Sequence, residues 1–66
     1  MFDSLIPVSS SVLRAVGYDG HTLAVEFRRR RGVYLHAGVP YSVYEGLMRA
    51  GSKGAYYNRR IRGQYR

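Results

Sequence analysis

Residues 22–37 read TLAVEFRRRRGVYLHA, two alternating segments separated by four arginines and a glycine. An apolar residue at every second position is typical of a β-strand with one buried face. The apolar positions of the two segments are Leu23, Val25 and Phe27, then Val33, Leu35 and Ala37. We therefore predict a β-hairpin with Arg28–Arg31 at its tip.

A second hairpin is predicted immediately before this one. Residues 12–18 also alternate and are rich in β-branched and aromatic side chains, which favours a strand. The dipeptide Asp19-Gly20 that follows is a strong signal for a tight turn between antiparallel strands. The two hairpins share the strand over residues 22–28, so together they predict a three-stranded antiparallel sheet.

Two short helices are predicted after the sheet. Pro40 suits a first helical turn, and apolar side chains then recur at helical spacing until Gly51, a plausible stop. Ser52 can cap a second helix from about Lys53 to Ile61. The predicted core of the domain consists of Val16, Val25, Phe27, Val33, Leu35, Val43, Leu47, Tyr57 and Ile61.

This order of elements predicts a small α+β domain, with a three-stranded antiparallel sheet followed by two short helices packed on one face. A chain of 66 residues has room for one domain only. We assign residues 1–7 to an N-terminal tail, residues 8–63 to the domain and residues 64–66 to a basic C-terminal tail. The other face of the sheet is expected to be solvated or to bind a partner.

The residue inventory argues against an enzyme or a metal protein. There is no cysteine, and no carboxylate lies at ligand spacing near both His21 and His36, so we expect no metal and no cofactor. The four acids are scattered and form no obvious acid–base pair. No apolar run approaches the roughly 20 residues of a membrane span, and the N-terminus does not resemble a signal peptide. We expect a cytoplasmic, non-enzymatic protein.

The charge points to a polyanionic partner. Eleven lysines and arginines face four acids, which gives a net charge of +7. Cations interleaved with tyrosines can neutralise phosphates and stack on unpaired bases. The candidate binding residues are Arg28, Arg29, Arg30, Arg31, Tyr34, Lys53, Tyr56, Arg59, Arg60 and Arg62. An alternative is that Arg28–Arg31 only solubilise the hairpin tip and discourage pairing between strand edges.

Seven segments in this order and spacing resemble the KTSC domain, a family named for its occurrence at the C-terminus of some lysyl-tRNA synthetases. They are Ser9-Ser10, Val16–Asp19, Leu23–Phe27, Gly32–Tyr34, Val39-Pro40, Val43-Tyr44 and Ser52–Arg62. Tyr34 matches the first tyrosine of the family's central Tyr-x-Tyr pattern, whereas His36 replaces the second. The resemblance implies RNA binding, because of the fusion to a tRNA-handling enzyme, and supplies no catalytic residues.

Two hypotheses for function follow. The first is a nucleic-acid-binding module, with RNA favoured, that uses the arginine-rich hairpin and the C-terminal tyrosines and arginines. The alternative is a protein-interaction module that docks on an acidic surface of a larger protein, since charge steers that association too. A homo-oligomer that pairs through exposed strand edges is also compatible with a small sheet.

Overall fold

The structure, a computed structural model, describes residues 5–65. A four-stranded antiparallel sheet is followed by two helices, so the predicted α+β class is confirmed. The strands, in sheet order, are β1 (Ile6–Pro7), β2 (Leu13–Tyr18), β3 (Leu23–Phe27) and β4 (Val33–His36). The helices are α1 (Tyr41–Arg49) and α2 (Lys53–Arg60). No helix within this described range is long and apolar enough to cross a membrane.

The prediction of three strands was wrong by one short strand. Ile6 and Pro7, which we placed in the N-terminal tail, pair with Val16 and Ala15 of β2. At the other end of the chain, Tyr65 is partly buried and packs against the core. Residues 1–4 and 66 of the two predicted tails lie outside the described residues.

The turn between β2 and β3 has the predicted form. Gly20 has a φ of 96°, a left-handed conformation that glycine adopts without steric cost. The Asp19 carboxylate accepts hydrogen bonds from the backbone N–H groups of His21 and Thr22, at 2.9 and 2.7 Å. The turn therefore carries its own local hydrogen bonds and fixes the register of β2 and β3.

This turn should make folding stability depend on pH. Hydrogen bonds from the backbone N–H groups of Thr22 and, next, His21 hold the pKa of Asp19 below its ordinary value. A carboxyl group with a lowered pKa in the folded state contributes stability above its unfolded pKa of about 3.9, and loses it as the pH falls. We expect Asp19→Asn to show a smaller loss of melting temperature than the wild type between neutral and strongly acidic pH. Parallel curves of melting temperature against pH for the wild type and Asp19→Asn would contradict this expectation.

The core lies between the sheet and the helices. Five of the predicted core residues, Val16, Val25, Leu47, Tyr57 and Ile61, are buried. Phe27 and Val43 are partly buried and pack against them. Leu13, Leu23 and Val39 are also buried, although we did not predict them as core residues.

Val33 and Leu35 were wrongly predicted as core residues. They expose 49% and 56% of their surface. The register pairs Val25 with Tyr34, Glu26 with Val33 and Ala24 with Leu35. Directly paired residues share a face of the sheet, so Tyr34 lies with Val25 on the helix-covered face. Val33 and Leu35 therefore lie on the opposite face, which we call the open face.

The two helices approach each other closely at Gly46. A Cβ atom at position 46 would lie 2.8 Å from Cζ of Tyr56, too close for the ring to keep its place. The half-buried Tyr56 ring thus covers a helical position that bears no side chain. This contact couples α1 to α2.

A double-mutant cycle can test this contact. Alanine is favoured over glycine in a helix by about 1 kcal/mol. In the Tyr56→Ala background, where the site is empty, Gly46→Ala should stabilise by about that amount. In the wild type it should stabilise less or destabilise, because the Tyr56 ring must move. Denaturant unfolding of the four proteins measures the cycle, and an equal effect of Gly46→Ala in both backgrounds would contradict the packing described here.

Candidate nucleic-acid interface

A groove of about 320 Å³ lies where the β3–β4 turn faces α2. Three arginines line it, Arg29, Arg30 and Arg62. Three aromatic side chains form its wall, Phe27, Tyr34 and Tyr57. Ser11, Val12 and Asn58 complete the lining. We refer to these nine residues as the arginine groove.

The aromatic wall is a set of edge-on contacts centred on Phe27. The ring centroid of Phe27 lies 5.4 Å from that of Tyr34, with 75° between the ring planes. It lies 5.2 Å from that of Tyr57, with 80° between the planes. Edge-to-face contacts at these distances are favourable, so Phe27 holds both tyrosines in place. Tyr34 nevertheless exposes 39% of its surface, so its ring remains available to a ligand.

A hydrogen-bonded chain fixes the Tyr57 hydroxyl. His36 Nδ1 lies 3.1 Å from the backbone oxygen of Tyr65, and His36 Nε2 lies 2.8 Å from the Tyr57 hydroxyl. A carbonyl oxygen can only accept, so Nδ1 carries the proton in the neutral ring. Nε2 is then the acceptor, and the Tyr57 hydroxyl donates to it. The histidine that replaces the second tyrosine of the Tyr-x-Tyr pattern thereby orients a residue of the groove.

The Tyr57 hydroxyl stays neutral at physiological pH. Burial raises its pKa, and the positive charges of Arg62 and then Arg30 oppose that rise. Both guanidinium groups therefore act on this one hydroxyl, although Arg30 lies between β3 and β4 and Arg62 follows α2. The wall combines a neutral aromatic surface with a positive rim.

Local sequence positions α2 against the groove. The Ser10 hydroxyl accepts hydrogen bonds from the N–H groups of Val12 and Leu13, both at 3.1 Å, which shapes the entry to β2. The Ser52 hydroxyl accepts from the N–H of Ala55 at 3.3 Å and caps α2 as predicted. A Cβ atom at Gly54 would lie only 2.6 Å from Val12. Glycine at this buried position lets α2 approach Val12 and brings Tyr57 and Asn58 to the groove.

The groove arginines have no acidic partner among residues 5–65. The one ion pair in that range joins Arg49 to Glu45 at 3.7 Å on α1, where both side chains are exposed. Within the same range, no group of three or more His, Cys, Asp or Glu side chains is placed to hold a metal ion. Among the described residues nothing compensates the positive charge of the groove, which suits it to an anion, since guanidinium groups bind phosphate in a bidentate manner.

Four of the ten predicted binding residues meet in the groove: Arg29, Arg30, Tyr34 and Arg62. Arg31, Arg59 and Arg60 are exposed but do not line it.

The remaining three predicted residues make other contacts. Arg28 Nε donates to the backbone oxygen of Ser10 at 2.6 Å, and Lys53 Nζ donates to that of Ala50 at 3.2 Å. Tyr56 lies over Gly46 and is not part of the groove lining.

Five residues of the groove were not predicted as binding residues. Phe27 and Tyr57 were predicted only as core residues, and Ser11, Val12 and Asn58 were not singled out. Helical spacing does not link Asn58 to Arg62, because α2 ends at Arg60, so the sequence carries no signal that singles out Asn58.

Comparison with known proteins gave two findings. The model of the KTSC domain family matches residues 9–65. The crystal structure of a KTSC domain protein from Yersinia pestis is similar in sequence and fold, with 35% identity and a TM-score of 0.88. The match covers 96% of this chain and 90% of that one. Among curated proteins there is no match.

Proposed function

The chain belongs to the KTSC domain family, and we propose that it binds single-stranded nucleic acid, RNA in preference, through the arginine groove. One observation carries the proposal: three arginines that have no acidic partner among residues 5–65 line a single groove together with an exposed tyrosine ring. Guanidinium groups bind phosphate, and unpaired bases stack on aromatic rings. The proposed role is binding without catalysis, in the cytoplasm.

The charge around the groove supports the same partner. Arg31, Arg59 and Arg60 are exposed outside the groove and extend its positive surface. A net charge of +7 on 66 residues attracts polyanions over long range. RNA is favoured over DNA because the family takes its name from a domain fused to lysyl-tRNA synthetases.

Salt dependence of binding tests this function. Each phosphate neutralised on a single strand contributes about −0.7 to the slope of log affinity against log salt concentration. The three groove arginines should therefore give a slope of about −2, and contacts from their exposed neighbours should bring it to about −3. Fluorescence anisotropy with a pool of labelled single-stranded RNA measures this slope.

Two results would overturn the proposed function. One is the absence of binding at about 0.15 M salt to any single-stranded, structured or duplex pool. The other is the capture from lysate of one stoichiometric protein partner that survives nuclease treatment while no nucleic acid is retained. That second result would favour docking on an acidic protein surface.

A further inference from the structure

The dimensions of the arginine groove match a compact ligand rather than a long stretch of backbone. Its volume of about 320 Å³ lies at the lower end of the roughly 300–1,000 Å³ typical of small-molecule sites. Like such sites, it combines an aromatic wall with a few polar groups that converge on one space. These features suit a compact ligand group that carries both a flat ring and an anion.

A flat ring of the ligand can stack on one exposed aromatic side chain of the groove. Tyr34 is the exposed member of the aromatic wall, while Tyr57 is buried to all but 7% of its surface. The edge-on contact with Phe27 holds Tyr34 in position before any ligand arrives. A platform that is already ordered loses little conformational entropy on binding, which favours stacking there.

Two guanidinium groups of the groove, those of Arg30 and Arg62, are available to bind the anion of such a ligand. Arg30 belongs to the β3–β4 turn and Arg62 follows α2, yet both influence the pKa of the same Tyr57 hydroxyl. Both residues line the same groove, so two positive charges are available there to one anion. Asn58 of α2 lines the same groove and adds a side-chain amide that can both donate and accept.

We propose that the arginine groove holds a single nucleotide of the bound strand, with its base stacked on Tyr34 and its phosphate between Arg30 and Arg62. This rests on the proposed function and deepens it, because the groove then recognises a nucleoside monophosphate as a unit. A free nucleoside monophosphate should enter the same site and compete with RNA.

The test measures binding of adenosine monophosphate, adenosine and inorganic phosphate to the full chain by heteronuclear NMR, together with competition against labelled single-stranded RNA. We expect the monophosphate to displace the RNA and to bind at least about 10-fold more tightly than adenosine or phosphate alone, since it makes both kinds of contact. Tyr34→Ala should weaken its binding about 5- to 150-fold, the range measured for loss of base stacking. Tyr34→Phe, which keeps the ring, should weaken it far less.

Tyr41→Ala is the matched control, because Tyr41 exposes 61% of its surface on α1 and does not line the groove. All variants must retain the wild-type melting temperature. If RNA binds but the monophosphate neither binds nor competes, the single-nucleotide site is wrong and the proposed function stands. If the monophosphate binds equally well to Tyr34→Ala, the site is also wrong. If the monophosphate binds as expected but no RNA does, the site stands and the proposed function fails.

Discussion

Leu47→Ala will leave the domain largely unfolded at physiological temperature, whereas Leu35→Ala will hardly change its stability. Leu47 is fully buried between α1 and the sheet, while Leu35 exposes 56% of its surface on the open face. Truncating a buried leucine to alanine costs about 2–5 kcal/mol. The core of so small a domain supplies about 3–5 kcal/mol in total, so the loss at Leu47 is comparable with the whole stability.

Comparing the two variants isolates the effect of burial on stability, because both substitutions remove the same atoms from a leucine side chain. Surface substitutions usually change stability by no more than about 0.5 kcal/mol, which is the expectation for Leu35→Ala. Circular dichroism during thermal and denaturant unfolding measures both variants. Equal destabilisation by the two substitutions would mean that the open face is covered in solution, and a stable Leu47→Ala would remove α1 from the core.

Simultaneous replacement of Arg30 and Arg62 by alanine should nearly abolish RNA binding. A hydrogen bond to a charged group contributes about 1.5–3 kcal/mol, so losing two should weaken binding about 100-fold or more. The slope of log affinity against log salt concentration should become shallower by about 0.7 when the two arginines share one phosphate, as in the single-nucleotide site, and by about 1.4 when each neutralises its own. The loss should be similar for many RNA sequences, because phosphate contacts carry no sequence information.

The double variant Arg59→Ala/Arg60→Ala is the control, since it removes the same net charge from positions outside the groove. It should retain most of the affinity and about −2 of the slope of about −3, because the three groove arginines keep their phosphate contacts. If both double variants lose affinity and slope to the same extent, binding depends on diffuse positive charge and not on the arginine groove.

The parts of the fold that the sequence predicts are those with strong local signals. The Asp19-Gly20 turn and the Ser52 cap have side chains that satisfy the backbone around them, so their positions follow from residue type. β1 could not be predicted from periodicity, because it has only two residues and one of them is Pro7. It forms only through pairing with β2.

The face on which Val33 and Leu35 lie could not be predicted, for a related reason. An alternating strand has two possible phases, and a shift by one residue moves every side chain to the other face. The residues at the hairpin tip, Arg28–Arg31 and Gly32, do not by themselves determine which phase is adopted. The pairing of Val25 with Tyr34 determines the phase of β4 and places Tyr34 on the helix-covered face of the sheet.

The sequence predicted the residue types of the candidate site but not which of those residues line it. Charge and aromatic content identified arginines and tyrosines as binding residues, but ten were predicted and four line the groove. Which arginines converge depends on how α2 packs on the sheet, and this depends on a close approach at Gly54 that has no sequence signature. Phe27 and Tyr57 were correctly seen as packing residues, yet the same rings also form the wall of the groove.

The most direct test of the account is to map where RNA binds on the folded chain. Heteronuclear NMR spectra recorded during titration with single-stranded RNA at about 0.15 M salt report on each backbone amide. We predict that the largest shifts occur at Ser11, Val12, Arg30, Tyr34, Asn58 and Arg62. Shifts confined to the open face, at Ala24, Val33 and Leu35, or the absence of any saturable shift would contradict the claim that the arginine groove binds RNA.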